Sequence, residues 1–124
     1  MKNSAGWKWV NKMGQAWIDK NPQAIPPLFA ETFKYFETPF EKPLTSKIEL
    51  IVLWQDVPLS QKDITFSFEI ISEINNQYIV HFQASFIRLK TGSKALLDGI
   101  FLIELNNNGL CTLFKWWWNT KENK

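Results

Sequence analysis

Two polar residues in the second half of the chain could form a general base and the group that orients it. His81 is the sole histidine of the sequence, and the strand pattern described below places it on the same sheet face as Asp98 of the adjacent strand. An imidazole beside a carboxylate can take a proton from a substrate. The two residues could instead be polar contacts on an outer face, with Asp98 an interface or turn carboxylate before Gly99. The sequence leaves both interpretations open.

Three other side chains could contact a polar ligand. Glu37 and Tyr35 fall near the end of the first predicted strand. Each either faces a cavity or lies at the surface, where Glu37 would pair with a lysine. Arg88 ends an otherwise apolar series of residues. Its planar guanidinium group could bind a carboxylate or phosphate, or its alkyl stem could carry the charge out to solvent.

Several other chemistries are excluded because their motifs are missing. The sequence has no histidines and cysteines with metal-ligand spacing, no glycine-rich phosphate loop and no Gly-Xaa-Ser-Xaa-Gly segment. Cys111 is the sole cysteine, so it forms no disulfide within the chain, and we interpret it as an inert residue of the outer face. We therefore expect no metal and no cofactor.

The composition restricts the class of partner. Fourteen basic and 12 acidic residues are spread along the chain, with one local basic excess at residues 121–124. Nucleic-acid binding needs a concentrated basic face, so we expect no nucleic-acid partner. No apolar run approaches the ~20 residues that span a bilayer, and lysines interrupt residues 1–12. We expect no membrane partner and a cytoplasmic location. The 7 tryptophans and 10 phenylalanines either fill a core or line a cavity.

The elements that position these residues are predicted to form one α+β domain over residues 1–124. Apolar periodicity predicts a helix over Ser4–Lys20, and consecutive prolines break or kink the short helix that follows over 22–30. Ser46 and Glu49 form a capping box for a third helix, which ends before Pro58. Runs of β-forming residues separated by turn residues predict strands over 33–38, 64–73, 78–90, 94–105 and 109–118.

Residue alternation along the last four strands separates two faces of the sheet. One face is almost wholly apolar, and we expect it to pack against the helices. The other face mixes polar residues with large apolar ones and is too apolar to be exposed to solvent. We therefore predict that a second copy of the chain covers it, forming a homodimer. The residues of this predicted interface are Ile79, His81, Ile87, Leu96, Ile100, Leu102, Leu113 and Trp117.

The element order resembles the NTF2-like superfamily, in particular its SnoaL-like and ketosteroid-isomerase-like branches. The segments that carry the resemblance are Ala24-Ile25, Leu28-Phe29-Ala30, Glu37-Thr38-Pro39-Phe40, Leu97-Asp98-Gly99-Ile100 and Trp116-Trp117-Trp118. The resemblance implies a cone-shaped fold in which three N-terminal helices pack against a curved antiparallel sheet that encloses a pocket. The superfamily contains enzymes, small-molecule binders and interaction modules, so the fold alone implies no function.

The resemblance also implies which residues line the pocket, with Arg88 near its rim. The other predicted lining residues are Met13, Trp17, Phe36, Thr38, Trp54, Phe82, Phe86, Leu97, Phe101, Phe114, Trp116 and Trp118.

Ketosteroid isomerases need a carboxylate base together with a tyrosine and an aspartic acid that bind the enolate oxygen. The resemblance places Thr38, Met13 and Phe101 at those three positions, so we expect no isomerase activity by that route. A shift of one residue in the alignment would bring Glu37 or Tyr35 into the pocket and turn Phe36 outward.

Three functions follow as candidates. The leading prediction is a pocket protein that binds a small, largely apolar organic ligand. The alternative is a SnoaL-like isomerase, cyclase or hydratase that acts on a polyketide- or steroid-like substrate through Asp98, Glu37 or Tyr35, and such cyclases do use an acid in the strand of Asp98. The third is a protein-interaction module whose pocket is filled by side chains.

Overall fold

The computed structural model describes residues 4–123, so residues 1–3 and the last lysine of the predicted basic tail lie outside the described residues. The helices are α1 (Ala5–Ile18), α2 (Lys47–Trp54) and α3 (Asp56–Ser60), and two short 3₁₀ turns follow α1. The strands are β1 (Phe29–Phe36), β2 (Gln61–Ile74), β3 (Gln77–Arg88), β4 (Lys94–Leu105) and β5 (Cys111–Asn123). The predicted α+β class is confirmed.

The five strands form one curled, open sheet in the order β1-β5-β4-β3-β2. Strands β2 to β5 form the predicted antiparallel meander, and Asn75, Gly92 and Gly109 have positive φ in its turns. The sheet as a whole is mixed, because β1 pairs in parallel with β5. Helices α2 and α3 lie in the connection from β1 to β2, and such a long connection allows β1 to join the far edge of the sheet.

The helix ends follow from local hydrogen bonds. Ser4 caps α1 by accepting a hydrogen bond from the amide of Trp7, and Ser46 and Glu49 form the predicted capping box of α2. Consecutive prolines restrict the segment after α1 to the two 3₁₀ turns. The prediction that Pro58 stops helical structure is wrong. Pro58 is the third residue of α3, where its missing N–H would have had no partner within the helix.

Helix α1 packs against the sheet, and the part of the core that Met13, Phe82, Phe101 and Phe114 fill is called the narrow end. Two glycines let the helix approach closely: a Cβ on Gly6 would lie 2.3 Å from the Tyr78 ring, and one on Gly14 would lie 2.4 Å from the Phe66 ring. The indole N–H of Trp9 donates to the carbonyl of Leu28 across 2.8 Å, which fixes α1 against the second 3₁₀ turn.

The environment of Cys111 differs from its expected place on the outer face. A bulge in β5 pairs Cys111 with Leu105 but Leu113 with Glu104, which leaves Thr112 as an extra residue. The bulge turns Cys111 into the core, where it is fully buried. Burial raises the pKa of its thiol to about 12, so the side chain is inert, although for a different reason than its predicted position.

No helix in residues 4–123 has the length and apolar character needed to cross a membrane.

Candidate functional site

A cavity of about 270 Å³ lies where the C-terminal end of α1 and helices α2 and α3 meet the sheet. We call it the cavity throughout. Every helix and every strand contributes to its lining. The residues that line it are Trp17, Tyr35, Glu37, Leu53, Trp54, Asp56, Val57, Gln61, Phe86, Arg88, Leu97, Trp116, Trp118 and Thr120.

Four tryptophans form a continuous surface along one side of the cavity, which we call the aromatic wall: Trp17, Trp54, Trp116 and Trp118. Trp17 meets Trp54 edge to face at 5.8 Å between ring centroids, and Trp54 stacks on Trp116 at 6.3 Å. Trp118 meets Trp116 edge to face at 5.2 Å. Because each ring is held by its neighbours, the wall is pre-formed and needs little ordering to receive a ligand.

Glu37, directly after β1, is the acidic group placed most deeply in the lining. The indole N–H of Trp116 donates to Glu37 Oε1 across 2.8 Å. Burial raises the pKa of Glu37 to about 7; the Trp116 hydrogen bond opposes this rise, and the negative charges of Glu41 and Asp56 add to it. The carboxyl group therefore changes protonation state near neutral pH, as a general base or a ligand-linked acid must.

Two buried polar atoms of the lining residues have no hydrogen-bond partner within residues 4–123: Tyr35 Oη and Trp54 Nε1. Burial, and then the charge of Glu37, raise the pKa of Tyr35 well above its ordinary value, while the Trp54 indole lowers it by a smaller amount. Tyr35 is therefore a neutral hydrogen-bond donor. Unpartnered buried donors cost free energy, which a ligand atom that accepts from them would offset.

Two further polar lining residues, Arg88 and Gln61, are bound to other groups. Arg88 Nε donates to both carboxylate oxygens of Glu122, and the guanidinium group also lies 5.3 Å from the centre of the Phe86 ring. Gln61 Oε1 accepts a hydrogen bond of 2.9 Å from the Trp17 indole, which orients one end of the aromatic wall. Arg88 thus lies beside the cavity as predicted, but its charge is already balanced by a carboxylate.

Seven of the thirteen residues predicted to bind a ligand lie along the cavity: Trp17, Trp54, Phe86, Arg88, Leu97, Trp116 and Trp118. Four others, Met13, Phe82, Phe101 and Phe114, do not line it and are completely buried core residues. They sit at the narrow end, where α1 packs directly on the sheet and leaves no space between the rings. Phe114, for example, stacks on Tyr35 with 4.7 Å between ring centroids.

The other two, Phe36 and Thr38, require a correction. Strand β1 turns Phe33 and Tyr35 inward, and the same alternation brings Glu37 to the cavity. Phe36 is directed away from the cavity, with its ring 5.1 Å from Lys115 Nζ, and Thr38 does not line the cavity. The structure therefore shows the arrangement expected from a one-residue shift of the alignment, in which Tyr35 and Glu37 face the cavity and Phe36 faces outward.

His81 and Asp98 do come together, but on the outer face of the sheet and away from the cavity. His81 Nε2 lies 2.9 Å from Asp98 Oδ1, His81 Nδ1 lies 3.3 Å from Glu69, and Gln83 donates to Asp98. The bonds to Asp98 and Glu69 raise the pKa of His81, and those from Gln83 and His81 lower the pKa of Asp98. These four residues, the outer polar cluster, have the expected pairing, but none of them lines the cavity.

Sequence reasoning missed five lining residues: Leu53, Asp56, Val57, Gln61 and Thr120. Thr120 continues the alternation of Trp116 and Trp118, so extending the last predicted strand by two residues would have found it. Leu53 and Asp56 fall within the third predicted helix but were not assigned to the pocket, and Val57 and Gln61 follow its expected end.

No protein-family model matches the sequence, and no curated protein matches it. Solved structures do match in fold. A computationally designed 17-OHP binder superposes with a TM-score of 0.81 at 16% identity, covering 98% of this chain and 99% of the other. Delta 5-3-ketosteroid isomerase from Mycobacterium sp. gives 0.78 at 13% identity, covering 97% and 99%. A protein with a ketosteroid isomerase-like fold from Catenulispora acidiphila, in complex with trimethylamine, gives 0.77 at 12% identity, covering 89% and 84%.

These matches show that the chain has a ketosteroid isomerase-like fold, as the resemblance predicted. At such low identity the likeness concerns the fold alone, because proteins of one fold carry many different sites.

Proposed function

We propose that this protein binds a small, largely apolar organic molecule in the cavity, with a polar group of the ligand placed at Glu37. The observation that carries the proposal is a pre-formed aromatic cavity whose most enclosed acidic group has no cationic partner among residues 4–123. Concave, mostly apolar sites with a few convergent polar groups are typical of small-molecule binding.

The cavity also argues against the alternative of a filled interaction module. Side chains fill the narrow end of the fold completely, yet about 270 Å³ remains open beside the aromatic wall. Packing costs favour closing such space with larger side chains unless it is used. The fold is also known to hold ligands, since one matching structure is a designed 17-OHP binder and another contains trimethylamine.

Calorimetric titration with a neutral aromatic probe, tert-butylbenzene, tests the proposal. We expect saturable binding to the wild type and a loss of at least about tenfold in affinity for Thr120→Trp, because the added indole occupies the lining at that position. Asn119→Trp is the matched control, since Asn119 pairs with Asp98 on the outer face and its indole would leave the cavity open. Equal affinities for the two variants would contradict binding in the cavity.

A second candidate function, proton transfer from a carbon next to a carbonyl, is favoured by the pKa of about 7 at Glu37. Tyr35 Oη and Trp54 Nε1, which lie near each other, would donate hydrogen bonds to the enolate oxygen, since neither forms a hydrogen bond of good geometry within residues 4–123. The absence of isomerase activity was expected because Thr38, Met13 and Phe101 replace the three catalytic groups. Glu37 supplies a carboxylate beside Thr38, so one of these three reasons no longer holds. The absence of activity stays a prediction.

Exchange of the methyl protons of acetophenone in heavy water tests this second function. We expect wild-type protein to accelerate exchange above buffer and Glu37→Gln to lose the acceleration, because an amide cannot take the proton. The matched control is Glu69→Gln, which removes a carboxylate from the outer polar cluster instead. Exchange that is equal in wild type and Glu37→Gln would exclude the function.

A further inference from the structure

We infer that the polar group of the ligand is an organic ammonium ion with alkyl substituents on its nitrogen, held against the aromatic wall beside Glu37. This inference rests on the proposed function, because it names the class of ligand that the same cavity would select.

The charges around the cavity are unbalanced in favour of a cation. Glu37 and Asp56 both line it, and neither forms an ion pair within residues 4–123. The positive group of the lining, Arg88, is paired with Glu122. A partly buried carboxylate without a cation is costly, and a ligand cation would supply the missing charge.

The aromatic surface beside Glu37 suits alkylated nitrogen. The faces of indole rings carry negative potential and attract cations, with tryptophan the strongest of the aromatic side chains. Four indoles contact one another in the aromatic wall, two pairs edge to face and one pair stacked, and Phe86 and Tyr35 add further rings to the lining. Alkyl groups on the nitrogen would bury apolar surface against these rings, while a primary ammonium would lose its water without equivalent contacts.

An anionic ligand fits the same residues poorly. It would have to displace Glu122 from Arg88, whose Nε contacts both carboxylate oxygens, while facing Glu37 and Asp56 in the same space. A neutral ring could stack on the aromatic wall but would leave Glu37 without a charge partner.

The charge of Glu37 links cation binding to pH. The titratable and charged groups around it are Tyr35, Glu41, Asp56 and Arg88, and Trp116 donates to its Oε1. The acidic neighbours and burial favour its neutral form, whereas a bound cation favours its charged form. A cation should therefore bind more tightly above the pKa of about 7 than below it.

Two probes that differ at one atom test the inference. Phenyltrimethylammonium and tert-butylbenzene have the same shape, but only the first carries a charge. At about pH 8 we expect the cation to bind at least about tenfold more tightly, and Glu37→Gln to remove most of this preference. Glu69→Gln, on the outer face, should leave it unchanged. Between about pH 8 and pH 6 the affinity of the wild type for the cation should fall about tenfold, and that of Glu37→Gln should not.

The outcomes separate this inference from the proposed function. If tert-butylbenzene binds as tightly as the cation, or if Glu37→Gln keeps the preference, the inference is wrong while ligand binding in the cavity stands. If neither probe binds the wild type, both are contradicted. Circular dichroism of each variant establishes that a loss of binding does not arise from unfolding.

Discussion

At the scale of single residues, the site depends on which of two neighbours faces inward. Glu37 and Thr38 are adjacent, and a shift of one residue exchanges the face of every side chain in a strand. The burial of Phe33 and Tyr35 sets the phase that brings Glu37 to the cavity. The sequence shows the alternation but not its phase, because both faces of this strand contain large apolar residues. The inward direction of Trp17, Trp54 and Trp116 could be predicted, because each lies on the apolar face of its helix or strand.

The raised pKa of Glu37 predicts how this residue affects stability. Because folding raises its pKa from 4.5 to about 7, the folded state holds the proton more tightly, and stability should fall as pH rises between these values and then level off. Glu37→Gln keeps an acceptor for Trp116 and removes the charge. Near pH 8 we expect it to be more stable than the wild type by on the order of 2 kcal/mol, which is several degrees in melting temperature.

Thermal unfolding of both proteins across this pH range checks the prediction. The two curves should converge below about pH 4.5, where Glu37 is protonated in both the folded and the unfolded wild type. Glu69→Gln serves as the control for removing an exposed carboxylate. A Glu37→Gln variant that is less stable than the wild type at about pH 8 would show that the charged carboxylate stabilises the fold.

At the scale of elements, the sequence predicted the strands of the meander well but not the pairing of β1. Alternation, turn residues and the capping box are local signals, so the boundaries of β4 and the start of α2 follow from them directly. The parallel pairing of β1 with β5 and the bulge at Thr112 depend on contacts between distant segments. No local sequence pattern predicts such contacts. The prediction that Cys111 lies on the outer face was wrong for the same reason, because it did not include the bulge.

Strand β4 contains a glycine that the close approach of β5 requires. Gly99 pairs with Trp118, and a Cβ added to it would lie 2.2 Å from the carbonyl oxygen of Trp117 and 2.8 Å from Trp118 Cβ. A backbone atom cannot move aside as a flexible side chain can. We expect Gly99→Ala to lower the free energy of unfolding by about 3 kcal/mol and to weaken ligand binding, because Trp118 belongs to the aromatic wall.

Urea denaturation measures this loss. The matched control is Ser67→Ala at an exposed position of β2, which should change stability by less than about 0.5 kcal/mol. A Gly99→Ala protein with the wild-type denaturation midpoint would show that the two strands can separate at this point without cost.

At the scale of the whole molecule, the outer face of the sheet remains a predicted interface between two copies. Trp117 on this face is 44% exposed, and Ile79, Ile100 and Leu102 are only partly buried. The outer polar cluster lies among them and could supply hydrogen bonds between copies. Residue alternation along the four strands of the meander predicts which side chains share this face. The alternation does not identify the molecule that covers the face.

Sedimentation of the wild type should give a dimer, because apolar contacts of this kind are buried by association. Replacing Ile100 and Trp117 with glutamate should give monomers that still bind tert-butylbenzene. Val52→Glu adds one glutamate at an exposed position of α2, outside the predicted interface, and should leave the dimer intact. A wild type that sediments as a monomer at high protein concentration would contradict the prediction.

The central claim is that a ligand binds against the aromatic wall, and the indole N–H signals of the seven tryptophans test it most directly. In a proton–nitrogen correlation spectrum, saturation with whichever of the two probes binds more tightly should shift the signals of Trp17, Trp54, Trp116 and Trp118, which line the cavity. Trp7, Trp9 and Trp117 do not line it and should keep their positions. Shifts confined to those three, or no shift in any of the seven, would contradict the claim.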